Sequence, residues 1–408
     1  MFSKFFLLAS TIFMVSIVSI ASIVSIVFYS LYNFYRFYGC FYLFGFCYPL
    51  YPLYCYKIEN ICILSENQFC LFSLTLQHQK LCNIKNSLIY QYMVYNEIGS
   101  TGMKVSNLSF GASSLGGVFH DIREEEGIKA VHTAVDNGIN FIDVSPYYGH
   151  YKAEMVLGKA LREIPRDKYY LSTKVGRYGK DGVNTWDYSA KRATDSVYES
   201  MERLGIDHID LINVHDIEFQ AALPGGLQKV VDETLPALVE LRKKGVVGHV
   251  GITDLQPENL KWVVEHAEPG TVECILCFCH YSLNDTLITD YIDFFQRHNV
   301  GIINASPLSM GLLSSRGAPA WHPAEEPLRK ACEKATQFCA EQGYPIEKLA
   351  IQFSTSLNPQ IATTLFSSAN PQNVLKNINF VNEPMDGQLV SEVQGIIGDQ
   401  MFVRWKNS

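Results

Sequence analysis

The sequence predicts an α/β protein, a (β/α)8 TIM barrel that opens with an N-terminal hairpin and is preceded by an atypical hydrophobic extension. Three observations carry this. From residue 108 onward, short apolar runs of strand length alternate eight times with longer segments of helical period. Strict alternation of strand and helix implies parallel strands joined by right-handed crossovers, and eight such units close into a barrel. No Gly-x-Gly-x-x-Gly follows the first strand, because Gly111, Gly116 and Gly117 have the wrong spacing, which argues against an open, doubly wound sheet.

The first element is the extension, residues 1–92. No charged residue occurs from 5 to 35, between Lys4 and Arg36, a run longer than the ~20 apolar residues that span a bilayer. Residues 37–92 are crowded with aromatic residues and cysteine and have no defensible period. The segment is either a membrane anchor, with 5–31 as the span, or a non-native extension upstream of Met93. The second reading is preferred, because Met93 sits where the regular pattern begins.

The domain 93–408 then runs in order. Residues 95–98 and 104–105 form a hairpin around Ser100-Thr101-Gly102. Strands follow at 108–111, 139–143, 169–174, 209–214, 248–252, 272–277, 300–305 and 361–366. The helices lie at 124–137, 152–162, 191–203, 228–243, 257–266, 287–298, 325–342 and 371–380. Gly138 ends the first helix, as a residue that tolerates left-handed backbone does. Residues 224–227 make a small surface insertion, and 314–327 a long loop after the seventh strand, at the barrel end where loops carry function.

Charge and cysteine usage narrow the partners. The chain carries 33 basic and 41 acidic residues. Only five basic and two acidic residues precede Met93, so the domain is at about −11. An acidic domain of this kind does not suit nucleic acid or an anionic membrane, which need a basic face. Five cysteines lie in the domain, an odd number on an apolar strand and a helix, which points to reduced thiols and a cytosolic catalytic piece. Cys274, Cys277, Cys279 and His280 have spacing that invites a metal, but strand alternation points Cys277 and Cys279 one way and Cys274 the other. No metal site is expected.

The chemistry concentrates at three successive strand ends. Asp143 closes one, Lys174 the next and His215 the third, with Tyr148 in the loop after Asp143. Tyrosine has an unperturbed pKa of about 10, so acid/base work near neutrality needs a neighbouring cation that favours the phenolate. Lys174 supplies that charge, Asp143 pairs with Lys174, and His215 binds the substrate oxygen. Each residue alone has a structural explanation, but four at adjacent strand ends make a site. No side chain can carry hydride, so a redox cofactor is required.

Residues 138–149 and 204–215 resemble the two signatures of the aldo-keto reductase family. Cys279-His280-Tyr281 with Asn284-Asp285, residues 305–313 and Trp321-His322-Pro323 resemble its aldose 1-dehydrogenase branch. The resemblance runs from 93 to about 381. It implies oxidation of the C1 hydroxyl of an aldose, such as L-galactose, to the lactone, by a nicotinamide nucleotide lying across the barrel mouth. A general carbonyl reductase, or a non-catalytic nucleotide-sensing subunit attached to a membrane partner, are the alternatives. By position, Thr253 and Asp254 would hold the carboxamide, Phe278 would stand beside the nicotinamide in place of the stacking tyrosine that is Ala305 here, and Ser306, Leu308 and Gly311 would take the pyrophosphate. Ser367, Ser368 and Asn377 would take the adenosine, with Asn370-Pro371 starting the last helix toward the phosphates. The family's two cations for a 2′-phosphate fall on Ser367 and Asn373, both neutral, which implies NAD rather than NADP. Phe119, Trp186 and Trp321 are expected to contact the sugar.

Overall fold

A computed structural model describes residues 93–118, 120–356 and 358–405. The chain divides into two units, Met1–Tyr90 and Gln91–Ser408, and the second is the one described. The expected membrane span and Phe119 lie outside the described residues. Among the described residues no helix is long and apolar enough to cross a membrane.

Among the described residues ten strands form, β1 (Tyr95–Glu97), β2 (Lys104–Ser106), β3 (Leu108–Gly111), β4 (Phe141–Asp143), β5 (Tyr170–Val175), β6 (Ile209–Val214), β7 (Val247–Asp254), β8 (Cys274–Phe278), β9 (Gly301–Ala305) and β10 (Ile361–Ser367). Strands β3 to β10 close a barrel in sequence order, each parallel to its neighbours, with β10 hydrogen-bonded to β3. The main helices are α1 (Glu124–Asp136), α2 (Lys152–Leu161), α3 (Ala190–Leu204), α4 (Leu235–Lys243), α5 (Pro257–His266), α6 (Ile292–Arg297), α7 (Glu326–Glu341), α8 (Ile346–Ser356), α9 (Pro371–Asn382) and α10 (Gly387–Ile397). Gly138 follows α1 with φ 92°, its amide bonded to the Val135 carbonyl at 3.0 Å, the left-handed helix stop the sequence implied.

Period-2 alternation sorts each strand into an inner and a helix-facing side. Phe141, Leu211, Cys274 and Leu276 pack inside the barrel with Ile98, Met103 and Val105 of the β1–β2 hairpin. The hairpin therefore stoppers the amino-terminal end. Val250, Ile252, Ile275 and Cys277 face out and meet Leu260 and Val263 of α5. Cys274 and Cys277 thus point to opposite sides of the wall, and the five described cysteines are free thiols. Burial pushes the Cys332 thiol up to about 12.

Three element readings need correction. The expected helix 228–243 is continuous, from Gly226 to Lys243, but widens into a π turn at Val230–Thr234 before α4. Pro236 at the start of α4 has no amide to donate, and the wider turn absorbs the missing bond. The expected helix 287–298 begins as a 3-10 turn, Leu287–Tyr291. Helices α8 and α10 had no counterpart in the sequence reading, so α9 is not the last helix. Both exist to bury one apolar stripe: Leu349, Ala350 and Phe353 of α8 and Leu389, Val390 and Val393 of α10 share a cluster with Leu328, Cys332 and Cys339 of α7.

Candidate active site

The carboxyl ends of β4, β5 and β6 bring Asp143, Lys174 and His215 together inside the mouth. All three are buried, at 3%, 1% and 2% exposure. Inward positions continue upward from the apolar floor: Phe141 then Asp143 on β4, Ser172 then Lys174 on β5, and Leu211, Asn213 then His215 past the end of β6. Lys174 Nζ donates to Asp143 Oδ1 and, at 2.9 Å, to the Val144 carbonyl. Its ammonium stands 4.9 Å from the centre of the Tyr148 ring. That ring meets His215 edge-on, centroids 5.6 Å apart at 89°.

Tyr148 reaches this position because two glycines allow loops to touch. A Cβ on Gly116 would lie 2.6 Å from the Tyr148 carbonyl oxygen, and one on Gly149, at φ 60°, 2.1 Å from that of Gly116. No larger residue permits the turn after β3 to pack so closely on the turn that carries Tyr148. Gly116, one of the glycines with the wrong spacing for a nucleotide fingerprint, has this role.

Electrostatics assign protonation states. Burial works to lower the Lys174 pKa, but the Asp143 carboxylate and Tyr148 outweigh it, and Lys174 is held protonated. Burial drives His215 well below its ordinary value, against the pull of Asp216 and with help from Arg177 and Lys174, so the imidazole is neutral. Tyr148 departs from the simple expectation: burial raises it above 10, and the opposing charge of Lys174 is insufficient to reverse that. The phenol therefore carries its proton at neutrality.

Several contributors escaped the sequence reading. Ser172 Oγ donates to Asp143 Oδ2 at 2.8 Å, and Asn213 Nδ2 to Ser172 Oγ at 2.9 Å. Ser145 Oγ lies 3.0 Å from His215 Nδ1. Polar residues at inward positions of apolar strands, two before Lys174 and two before His215, were the available signal.

The cofactor residues divide. Phe278 and Ala305 are register partners at the ends of β8 and β9, so a small residue lies beside the phenyl ring. Ser306, Ser309, Met310 and Gly311 all take left-handed φ, between 46° and 107°, a strained run that persists only where its surroundings impose it. Leu308 lies within this run and is partly buried. Ser367 Oγ bonds the Ser114 amide at 2.9 Å and hydroxyl at 2.8 Å. Asn370 caps α9 by accepting from the amides of Gln372 and Asn373, so those amides already have a partner. Ser368 Oγ accepts from the Asn370 amide, and Asn377 is half-buried on α9. Thr253 points inward, to Asp216, whereas Asp254 faces the helices: its oxygens accept from the Gln256 amide and from Asn259 Nδ2. Asp254 is not brought to the mouth.

Of the sugar-facing candidates, Trp186 stands near the tetrad, its ring 4.3 Å from that of Phe219 and 5.1 Å from the Arg177 guanidinium. Trp321 is 51% exposed on the loop after β9, parallel to His322 at 6.2 Å. A separate groove of about 720 Å³, lined by Gln256, Glu258, Ala324, Arg404 and Trp405 among others, holds none of the tetrad.

A closed parallel barrel with a buried Asp–Lys pair, a tyrosine and a neutral histidine at its carboxyl-terminal mouth defines an oxidoreductase site. The sequence model of the Aldo/keto reductase family matches residues 107–397. L-galactose dehydrogenase of Arabidopsis thaliana is 41% identical over 314 residues, covering 76% of this chain and 95% of that one. D-arabinose 1-dehydrogenase of Saccharomyces cerevisiae is 30% identical over 319 residues, 73% of this chain and 92% of its own. Among solved structures, a holo-form aldo-keto reductase from Bacillus halodurans superposes with a TM-score of 0.62 at 24% identity, over 78% of this chain and 99% of its own, a likeness of fold. The protein belongs to the aldo-keto reductase family, whose members use nicotinamide cofactors.

Proposed function

We propose that the protein is an aldose 1-dehydrogenase that oxidises the C1 hydroxyl of L-galactose, or of a stereochemical relative, to the lactone, with NAD as the preferred acceptor. The observation that carries this reading is the position of Lys174, paired with Asp143 and set over the Tyr148 ring. The names of the two relatives above support the substrate class. The residues at the mouth fit a nicotinamide nucleotide: Phe278 offers a ring face, the turn 306–311 is pre-shaped, and Ser367 and Asn373 are neutral. When bound, that nucleotide accepts hydride from C1.

The chain's own residues perform the rest. His215 Nδ1 faces Ser145, which leaves Nε2 to donate to the sugar oxygen and orient it. Tyr148, as phenolate, takes the hydroxyl proton while two electrons and the C1 hydrogen leave as hydride, and the C1–O bond becomes the lactone carbonyl. Lys174 stabilises the phenolate, and Asp143 fixes Lys174 through an interaction that burial strengthens.

The test is purified full-length protein assayed against a panel of aldoses and simple aldehydes with each nicotinamide nucleotide, alongside Tyr148→Phe. L-galactose, L-fucose or D-arabinose should be oxidised in preference to aliphatic aldehydes. The Phe variant should lose ~10²–10⁴-fold in kcat, the range of general acid–base catalysis, at unchanged nucleotide affinity. Full activity in that variant removes Tyr148 from the proton-transfer role, and a clear preference for reducing simple aldehydes makes the protein a carbonyl reductase.

A further inference from the structure

Beside the tetrad lies a second buried ion pair that the proposed mechanism does not use. Arg177, 8% exposed, donates through Nη1 to Oδ2 of Asp216, 7% exposed. Thr253 Oγ1 donates to Oδ1 of the same carboxylate at 2.9 Å, and accepts from the Asp216 amide at 2.8 Å. Asp216 holds φ 42°, a conformation rare outside glycine and kept only where neighbours over-determine it.

Aromatic rings surround the guanidinium: its carbon is 3.8 Å from the centre of Tyr147, 4.2 Å from Phe219 and 5.1 Å from Trp186. The pair is adjacent to the chemistry. Asp216 Oδ2 is 3.4 Å from His215 Nε2, the nitrogen left for substrate, and the Tyr147 ring lies 6.0 Å from the imidazole. A molecule engaging His215 must therefore lie against this wall. Arg177 Nε is enclosed and has no protein partner, so what the pair presents to a bound molecule is its net charge rather than that donor.

The charges of the site balance. Lys174 and Arg177 are each bonded to one buried carboxylate, Asp143 and Asp216, and His215 is neutral. An arginine without a counter-ion beside the reacting carbon would select a carboxylate or phosphate. Here Asp216 cancels the guanidinium charge, which leaves a neutral pair and apolar ring faces.

We propose that the Arg177–Asp216 pair is a specificity-determining element: Asp216, by cancelling the cation beside His215, restricts the site to neutral sugars and excludes sugar acids. The inference rests on the aldose reading above and deepens it.

The experiment compares full-length wild type, Asp216→Asn and Arg177→Met on L-galactose and D-galacturonate, in oxidation with NAD and in reduction of the open-chain aldehydes with NADH. Nucleotide affinity is followed by fluorescence titration and folding by thermal melts. Asparagine tolerates left-handed backbone, so Asp216→Asn keeps the turn. It should raise the galacturonate-to-galactose ratio of kcat/KM by roughly tenfold or more, as an uncancelled cation attracts the anion. Arg177→Met leaves the Asp216 carboxylate uncancelled and should lower that ratio by roughly tenfold or more, without changing nucleotide affinity. Arg177→Lys keeps the cancelled pair and should leave the ratio unchanged. An unchanged ratio in folded Asp216→Asn, or a shifted ratio in folded Arg177→Lys, overturns the proposal. Wild type that oxidises no aldose overturns the proposed function instead, while the reduction ratio still reports on the pair.

Discussion

Lys174 Nζ bonds Asp143 and the Val144 carbonyl and stands 4.9 Å from the centre of the Tyr148 ring. One ammonium thus serves the carboxylate that fixes it and the phenol it assists. Burial raises the Tyr148 pKa, Lys174 only partly opposes it, and the Asp143 carboxylate that shares the ammonium raises it further, so it stays above its ordinary value.

The pH profile should reveal this. Oxidation needs the phenolate and reduction the phenol. With Tyr148 raised, kcat/KM for aldose oxidation should climb by roughly tenfold per pH unit from neutrality toward pH 10, as expected for one deprotonation. Reduction should stay flat over the same range. Initial rates in both directions across that window decide it, and a plateau in oxidation near neutrality would mean that another group is the base.

Lys174→Met should strip Asp143 of its counter-ion in a buried wall. Breaking a buried pair by removing one partner costs about 3–5 kcal/mol, so the variant should unfold at markedly lower denaturant. Asp143→Asn in the same background should recover part of that loss. If the single variant is as stable as wild type, the pair is not charged in the native protein.

NAD should exceed NADP in kcat/KM on one sugar. A cation bonds a phosphate roughly twice as strongly as a neutral donor does, and Ser367 and Asn373 offer none. Lys376 is exposed and sits 5.4 Å from the Phe380 ring centre. Asn373→Arg should raise the relative activity with NADP. An NADP preference in the wild type would locate a cation on a segment other than α9.

Removing residues 1–92 should leave an active domain, because every barrel strand and the tetrad lie after Met93. Expression of 93–408, with activity compared against the full chain, tests it. An insoluble or inactive product would place part of the extension within the fold.

Strands and tetrad were legible because burial imposes strong patterns on sequence. An apolar run ending in Asp143, Lys174 or His215 has few explanations. The second tier was less legible: Ser172, Asn213 and Ser145 are common residues whose meaning depends on which side of the wall they face. Arg177 and Asp216 are brought together from the loops after β5 and β6, which no local period records. Helix α8 was missed because its apolar stripe is completed by α7 and α10, from both sides in sequence. Asp254 was assigned by position alone, and the strand's alternation turns it toward α5.

The seam between β3 and β10 bears on how the chain is made. Ser109 and Thr363 share a hydrogen bond across 254 residues, so the first barrel strand waits for its last neighbour through most of synthesis. Until residue 367 leaves the ribosome, β3 and β9 are open sheet edges, able to pair with other chains. The closing strand is followed by α9, α10 and a tail whose Phe402 amide bonds the Asn284 carbonyl and whose Arg404 grips Glu258. A nascent chain halted before residue 361 would carry the whole tetrad, yet lack the strand that seals its barrel and the clasp across its loops. Stalled or truncated products should therefore burden the chaperones rather than yield partial enzyme.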